Sequence, residues 1–147
     1  VGHWNRVYGR KGFVQYQFVL PTDQAADGLR EVLERITQQR TASFLAVIKR
    51  FGPQGQGLLS FPKTGYTLAL DIPITGQDLF PQLDELDCIV LRRQGRVYLA
   101  KDMRLSPESY RVMYPRSYEF DAIKKRIDPD SHVRSDLAKR LGIGGLS

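Results

Sequence analysis

Hydrophobic and polar residues alternate along Phe13-Val-Gln-Tyr-Gln-Phe-Val-Leu20, a segment rich in aromatic and branched side chains. A period of two predicts a strand, and Pro21 ends it. The spacing then becomes helical. Ala26, Leu29, Val32, Leu33 and Ile36 recur on one helix face, with Thr22 or Asp23 available as the N-cap. Ser43 to Phe51 predicts a second strand, and Gly52-Pro-Gln-Gly-Gln-Gly57 a flexible loop. Tyr66 to Ile72 predicts a third strand, stopped by Pro73. Thr75 to Asp78 has capping-box-like spacing before a helix carrying Leu79, Leu83, Leu86, Ile89 and Val90. Pro81 fits only near its first turn, where a missing N–H is tolerated. Gly95 ends that helix, and Arg96 to Ala100 predicts a short fourth strand. Three helices follow, starting at Ser106-Pro107, at Ser117 and at Ser135, with Pro115 and Pro129 between them.

The element order is βαββαβ plus a helical tail. It predicts an α+β fold of ferredoxin-like type: an antiparallel sheet, both helices on one face, then a C-terminal helical segment. Each strand divides into two side-chain sets. Val14, Tyr16, Phe18 and Leu20, with Phe44, Ala46, Ile48, Tyr66, Leu68, Leu70 and Ile72, form the set expected to meet the helices. The other set mixes Gln15, Gln17, Lys49, Thr67 and Asp71 with Leu45, Val47 and Phe51. An ordinary solvated face carries more charge and less large apolar surface. An apolar wall with a few polar groups is the composition of a ligand site, here one covered by another domain.

Composition narrows the classes. The chain has 147 residues, 41% hydrophobic and 26% charged, which fits an ordinary globular fold. No apolar run is long enough to span a bilayer, and the N-terminus lacks a signal-peptide pattern. The chain starts at Val1 rather than Met, which favours a piece cut from a longer protein. The net charge is +6, with much of the excess late, at Lys124, Lys125, Arg126, Arg134, Lys139 and Arg140. A solvated helix face accounts for such a run; a surface docking on another domain or an anionic membrane is the functional alternative. Cys88 is the single cysteine, expected as a small buried thiol. His3 and His132 lie far apart, without the ligand spacing of a metal site. Lys49 and Lys101 are the cations best placed for chemistry, because fixed charge tunes a cofactor or binds an oxyanion.

Four segments carry a family resemblance: Trp4-Asn5-Arg6 running to Gly12 through Phe18, Ser43 to Gly52, Gly95 to Arg104, and Asp128-Pro129 to Leu141. Together they resemble FAD-linked oxidases of the vanillyl-alcohol-oxidase-like group, in particular its branch of decaprenylphosphoryl-ribose oxidases. The resemblance implies a two-domain enzyme. The chain's own N-terminal FAD-binding domain would precede it, residues 1–104 would be part of a cap or substrate-binding domain, and residues 105–147 a helical tail packing back on the FAD domain. Residue by residue, Tyr98 matches a tyrosine that contacts the flavin, and Lys101 a lysine beside flavin and substrate. Gln15 and Gln17 match paired strand glutamines facing the active site, while Lys49 and Phe51 match residues lining the same pocket. Thr67 and Ala69 stand where mycobacterial members carry an Asn-x-Cys pair, which leaves another polyol or lactone open as substrate.

The implied reaction, for an intact protein, is oxidation of a secondary hydroxyl of a sugar, polyol or polyprenyl-phosphoryl ribose, with Lys101 stabilising charge on the reduced ring or orienting the hydroxyl. The chain alone is expected to be inactive and to bind FAD weakly or not at all. Its location is expected to be cytoplasmic or peripheral to the inner membrane, and a homodimer through the uncovered sheet face is open. Two rival readings use the same frame. A ferredoxin-like RNA-binding module suits a basic chain, but Lys11-Gly-Phe-Val-Gln-Tyr16 falls on the first strand rather than the third, so no nucleic-acid partner is expected. A small-molecule regulatory domain is the other, and the presence or absence of an in-frame FAD-binding domain upstream of Val1 discriminates it.

Overall fold

Strand alternation and helical spacing resolve into a single sheet in the computed structural model, which describes residues 11–41, 43, 45–74 and 79–145. Trp4-Asn5-Arg6, His3, Phe44 and the Thr75–Asp78 cap lie outside the described residues. The strands are β1 (Phe13–Pro21), β2 (Leu45–Phe51), β3 (Gly65–Pro73) and β4 (Arg96–Val97). The helices are α1 (Thr22–Gln38), α2 (Leu79–Arg92), α3 (Pro107–Met113), α4 (Ser117–Ile127) and α5 (Asp136–Leu141). The sheet order is β2-β3-β1-β4, and every neighbouring pair is antiparallel. This is the α+β arrangement that the βαββαβ order predicts.

The inward set of β1 is buried as the alternation requires: Val14 and Tyr16 at 3% exposure, Phe18 and Leu20 at 0%. Leu68, Leu70 and Ile72 of β3 join them, with Val32 and Ile36 of α1 and Leu83, Leu86 and Val90 of α2, in one hydrophobic cluster. Each fully buried side chain of this size contributes about 1.5–3 kcal/mol. Gly65 shows how close the backbones run. It has φ +156°, and a Cβ there would sit 1.9 Å from the Leu20 carbonyl oxygen.

Several expectations change. The inward stripe of α1 is Ala25, Gly28, Val32 and Ile36, while Ala26 and Leu33 face outward. Pro21 occupies the N-cap position without a side-chain bond, so neither Thr22 nor Asp23 caps the helix. Ala46 and Ile48 do not meet the helices. β2 is the sheet edge beyond them, and Ile48 is 56% exposed. Cys88 is exposed, not buried. Its inward neighbour on α2 is Asp87, 4% exposed. The left-handed turn closing α2 falls on Gln94, at φ 55°. Gly95 is needed for space instead, since a Cβ would lie 2.6 Å from the Val19 carbonyl oxygen.

β4 stops at Val97 rather than Ala100. The Tyr98 N–H still donates to the Gln17 carbonyl (2.8 Å), but the Lys101 N–H turns back to the Tyr98 carbonyl (3.0 Å). Leu99–Lys101 is therefore a 3-10 turn. The outer edge of β4 is closed by α3: Val97 N–H donates to Met113 Sδ (3.3 Å), and Tyr114 O–H to the Val97 carbonyl (2.6 Å). Such a cover removes an edge that would otherwise pair with another chain. Leu105, Tyr110, Met113, Leu141 and Ile143 belong to the same hydrophobic cluster as the sheet. Ser106 caps α3 as expected, accepting from Ser109 N–H at 3.1 Å, and Ser135, expected as the first helical residue, instead caps α5, accepting from Ala138 N–H at 3.1 Å.

A buried polar chain ties the layers together. Tyr16 O–H donates to Asp87 Oδ1 (2.8 Å), and Arg104 Nη2 donates to Asp87 Oδ2 (2.8 Å). Burial pushes the Asp87 carboxyl up to about 6, against the pull of Arg104. The Tyr16 phenol is raised too, first by burial and then by the Asp87 charge.

Candidate active site on the open sheet face

Register sets the geometry of the face that the helices leave open. Gln15 pairs with Asp71, which pairs with Leu45; Gln17 with Ala69 and Val47; Val19 with Thr67 and Lys49. Ala69, at the centre, has the smallest side chain of the nine, so a recess forms over it. The recess measures about 110 Å³ and is lined by Gln15, Gln17, Lys49, Thr67, Asp71 and Lys101, with Leu45, Val47 and Ala69. All six of these polar residues were named from the sequence, and they meet in one place. Lys101 arrives from outside the sheet, on the 3-10 turn that follows β4.

Hydrogen bonds fix the glutamines. Gln15 Nε2 donates to Asp71 Oδ1 (3.1 Å), and Gln17 Nε2 to Thr67 Oγ1 (3.0 Å). Thr67 O–H in turn donates to the Phe18 carbonyl (2.7 Å). Thr67 is 1% exposed, so it holds Gln17 rather than offering its own hydroxyl to a ligand. Among the described residues neither glutamine side-chain carbonyl accepts a hydrogen bond, so both can accept from a ligand hydroxyl. Lys49 and Lys101 add positive charge to the lining and Asp71 negative charge.

Phe51 and Tyr98 do not line the recess. They join Phe61, which the sequence pattern did not mark. Tyr98 stacks on Phe61 at 4.5 Å between ring centroids and 25° between planes, and Phe51 meets Phe61 edge-on at 5.7 Å. Phe61 is 6% exposed and sits in the loop between β2 and β3, where no periodicity flags a residue. An aromatic followed by proline at the end of a glycine-rich loop was the one available signal. The aromatic group adjoins the recess along the sheet: Phe51 lies two residues beyond Lys49 on the same side of β2, and Tyr98 lies beside Gln17. Tyr98 also lines a larger apolar groove of about 540 Å³ with Leu59, Leu99, Phe120 and Leu137.

Of the late basic run, Lys124, Arg134 and Arg140 are committed inside the chain, Arg134 donating to the Ser131 carbonyl. Lys124 donates to Asp128 Oδ2 (2.7 Å) and the Val133 carbonyl (3.0 Å), and holds the Asp128 carboxyl down to about 2. Arg140 binds Asp102.

Among curated proteins, the chain is 44% identical over 140 residues to the decaprenylphosphoryl-β-D-ribose oxidase of Mycolicibacterium smegmatis, a match covering 95% of the chain. The chain is a relative of that oxidase. It is also 41% identical over 117 residues, 80% of its length, to the uncharacterized protein in the mprA 5′ region of Streptomyces coelicolor. The chain spans about 30% of the length of each of these relatives. No family model matches it. The similarity to that oxidase thus extends over almost the whole chain.

Proposed function

We propose that this chain is the substrate-side part of a flavin-linked oxidoreductase that oxidises a secondary hydroxyl of a sugar, a polyol or a polyprenyl-phosphoryl ribose. The observation that carries the reading is the recess. Its residues have the chemistry of a hydroxyl-rich ligand site, yet about 110 Å³ is below the ~300 Å³ at which a small-molecule pocket usually begins. One wall is present, and a second body completes it. The similarity to an oxidase over 95% of the chain supports the same reading.

The flavin fits this wall in part. Tyr98, partly exposed and backed by Phe61, offers an apolar face for a planar ring, and Lys101 supplies a cation on the turn that follows it. The β1–α1 junction, Leu20-Pro21-Thr22, has no glycine-rich phosphate loop. On this reading the pyrophosphate and adenosine are held by the chain's own N-terminal FAD-binding domain, packed against the open face and the helical tail. When bound, FAD supplies the acceptor for the hydride. Gln15 and Gln17 orient substrate hydroxyls, Lys49 meets an anionic or hydroxyl group at the recess rim, and Lys101 opposes negative charge that develops next to it. The apolar residues Leu45 and Val47 exclude water once covered.

The test is anaerobic. The intact protein should carry FAD and be bleached by a secondary-alcohol sugar or polyprenyl-phosphoryl ribose, whereas residues 1–147 alone should neither retain FAD nor turn over. An intact protein without flavin, or one whose flavin no such alcohol reduces, sinks the reading.

A further inference from the structure

Lys101 has a long, rotatable side chain, so its value to chemistry depends on where its backbone is held. The turn bearing it is anchored at both ends. Before it, the Tyr98 N–H is tied to Gln17 of β1. After it comes Asp102, whose side chain is 3% exposed. Asp102 Oδ1 accepts from Arg104 N–H (3.0 Å) and Leu105 N–H (2.8 Å), and Oδ2 accepts from Arg140 Nη2 (2.8 Å). Arg140 Nη1 also donates to the Leu105 carbonyl (2.5 Å). Both guanidinium contacts thus fall on the four residues that follow Lys101. Arg140 itself rides on the last turn of α5, whose Ala138 and Leu141 are buried in the core.

We infer that Asp102 and Arg140 are positioning residues for Lys101, so that the C-terminal helix sets the placement of the cation beside the flavin. The inference rests on the reading of Lys101 as flavin-facing. A displacement of about 1 Å at such a group costs on the order of 10²-fold in rate. A charge-assisted contact to a buried carboxylate is stiff enough to prevent it. A purely structural pair predicts something different: a loss of stability that takes no account of whether residue 101 is lysine.

The flavin midpoint potential of the intact holoprotein, measured by dye equilibration, separates the two without any substrate. Lys101→Met should lower the potential, because a cation beside the ring favours the reduced anion. Asp102→Asn should lower it by at least half as much, and should add nothing in the Lys101→Met background. Arg140→Met should behave like Asp102→Asn, and Arg140→Lys, which keeps a cation on Asp102, should recover most of the difference. If Asp102→Asn does not accumulate, the Arg140→Met and Arg140→Lys pair carries the same comparison. Equal shifts in both backgrounds, or no shift from Asp102→Asn and Arg140→Met while Lys101→Met lowers the potential, overturn the positioning role alone. An unchanged potential in Lys101→Met overturns the flavin-facing reading and this inference with it.

Discussion

Thr67→Val tests whether the floor of the recess is a coupled polar device or an ordinary buried threonine. Thr67 is 1% exposed, accepts from Gln17 and donates to the Phe18 carbonyl. Valine keeps the shape and loses both bonds. At about 1 kcal/mol net for each, the loss is about 2 kcal/mol, reduced to ~1–2 by the extra methyl buried in place of the hydroxyl. Urea unfolding followed by far-UV circular dichroism reads this directly. With a slope of about 2 kcal/mol per M, the midpoint falls by ~0.5–1 M. Gln17→Ala and the double variant complete a cycle. The Thr67–Gln17 contact predicts a coupling of about 0.5–1.5 kcal/mol. Costs that add within ~0.3 kcal/mol would show that Thr67 does not hold Gln17 in place.

Three further outcomes follow from burial and charge. Burial holds the Asp87 carboxyl at about 6, above its value of 3.8 in an unfolded chain, so the folded protein keeps a proton that the unfolded chain releases. Stability from this group is full below pH ~4 and declines as pH rises through ~6, by about 3 kcal/mol, and urea midpoints in Asp87→Asn should lose that slope. Asp128 has the opposite sign: its carboxyl is held down to about 2 by Lys124, so α4 loses that support as pH falls from ~4 toward 2, a change that Asp128→Asn should abolish in acid titrations by circular dichroism. Ile48→Thr on the uncovered edge should cost under about 0.5 kcal/mol, whereas Leu70→Ala in the buried β3 set should cost ~2–5 in the same unfolding assay.

The strand and helix order was legible because Val14 to Leu20 and Leu68 to Ile72 alternate cleanly and Leu79 to Val90 repeats at helical spacing. The open-face set was legible for the same reason, and register then brought Gln15, Gln17, Lys49 and Thr67 to one recess. Alternation carries no information about lateral position in a sheet, so it could not tell that Ala46 and Ile48 lie beyond the helices. Asp87 reads as a polar helix residue until Tyr16 and Arg104 are seen to satisfy it from distant parts of the chain. Phe61 lies in a loop without period, and only the fold sets it against Tyr98. The 3-10 turn after Val97 depends on a backbone bond from Lys101 to Tyr98 that no pattern of side chains announces, and it is this turn that carries Lys101 to the recess.

The proposed role of Lys101 at a flavin on this sheet face is read by stopped-flow anaerobic flavin reduction in the intact protein, wild type against Lys101→Met, at saturating secondary-alcohol substrate. Lys101→Met should lower the rate by about 10²-fold or more with substrate affinity little changed, the scale on which removing one charge-stabilising group acts. A Lys101→Met protein that reduces its flavin at the wild-type rate would contradict that role.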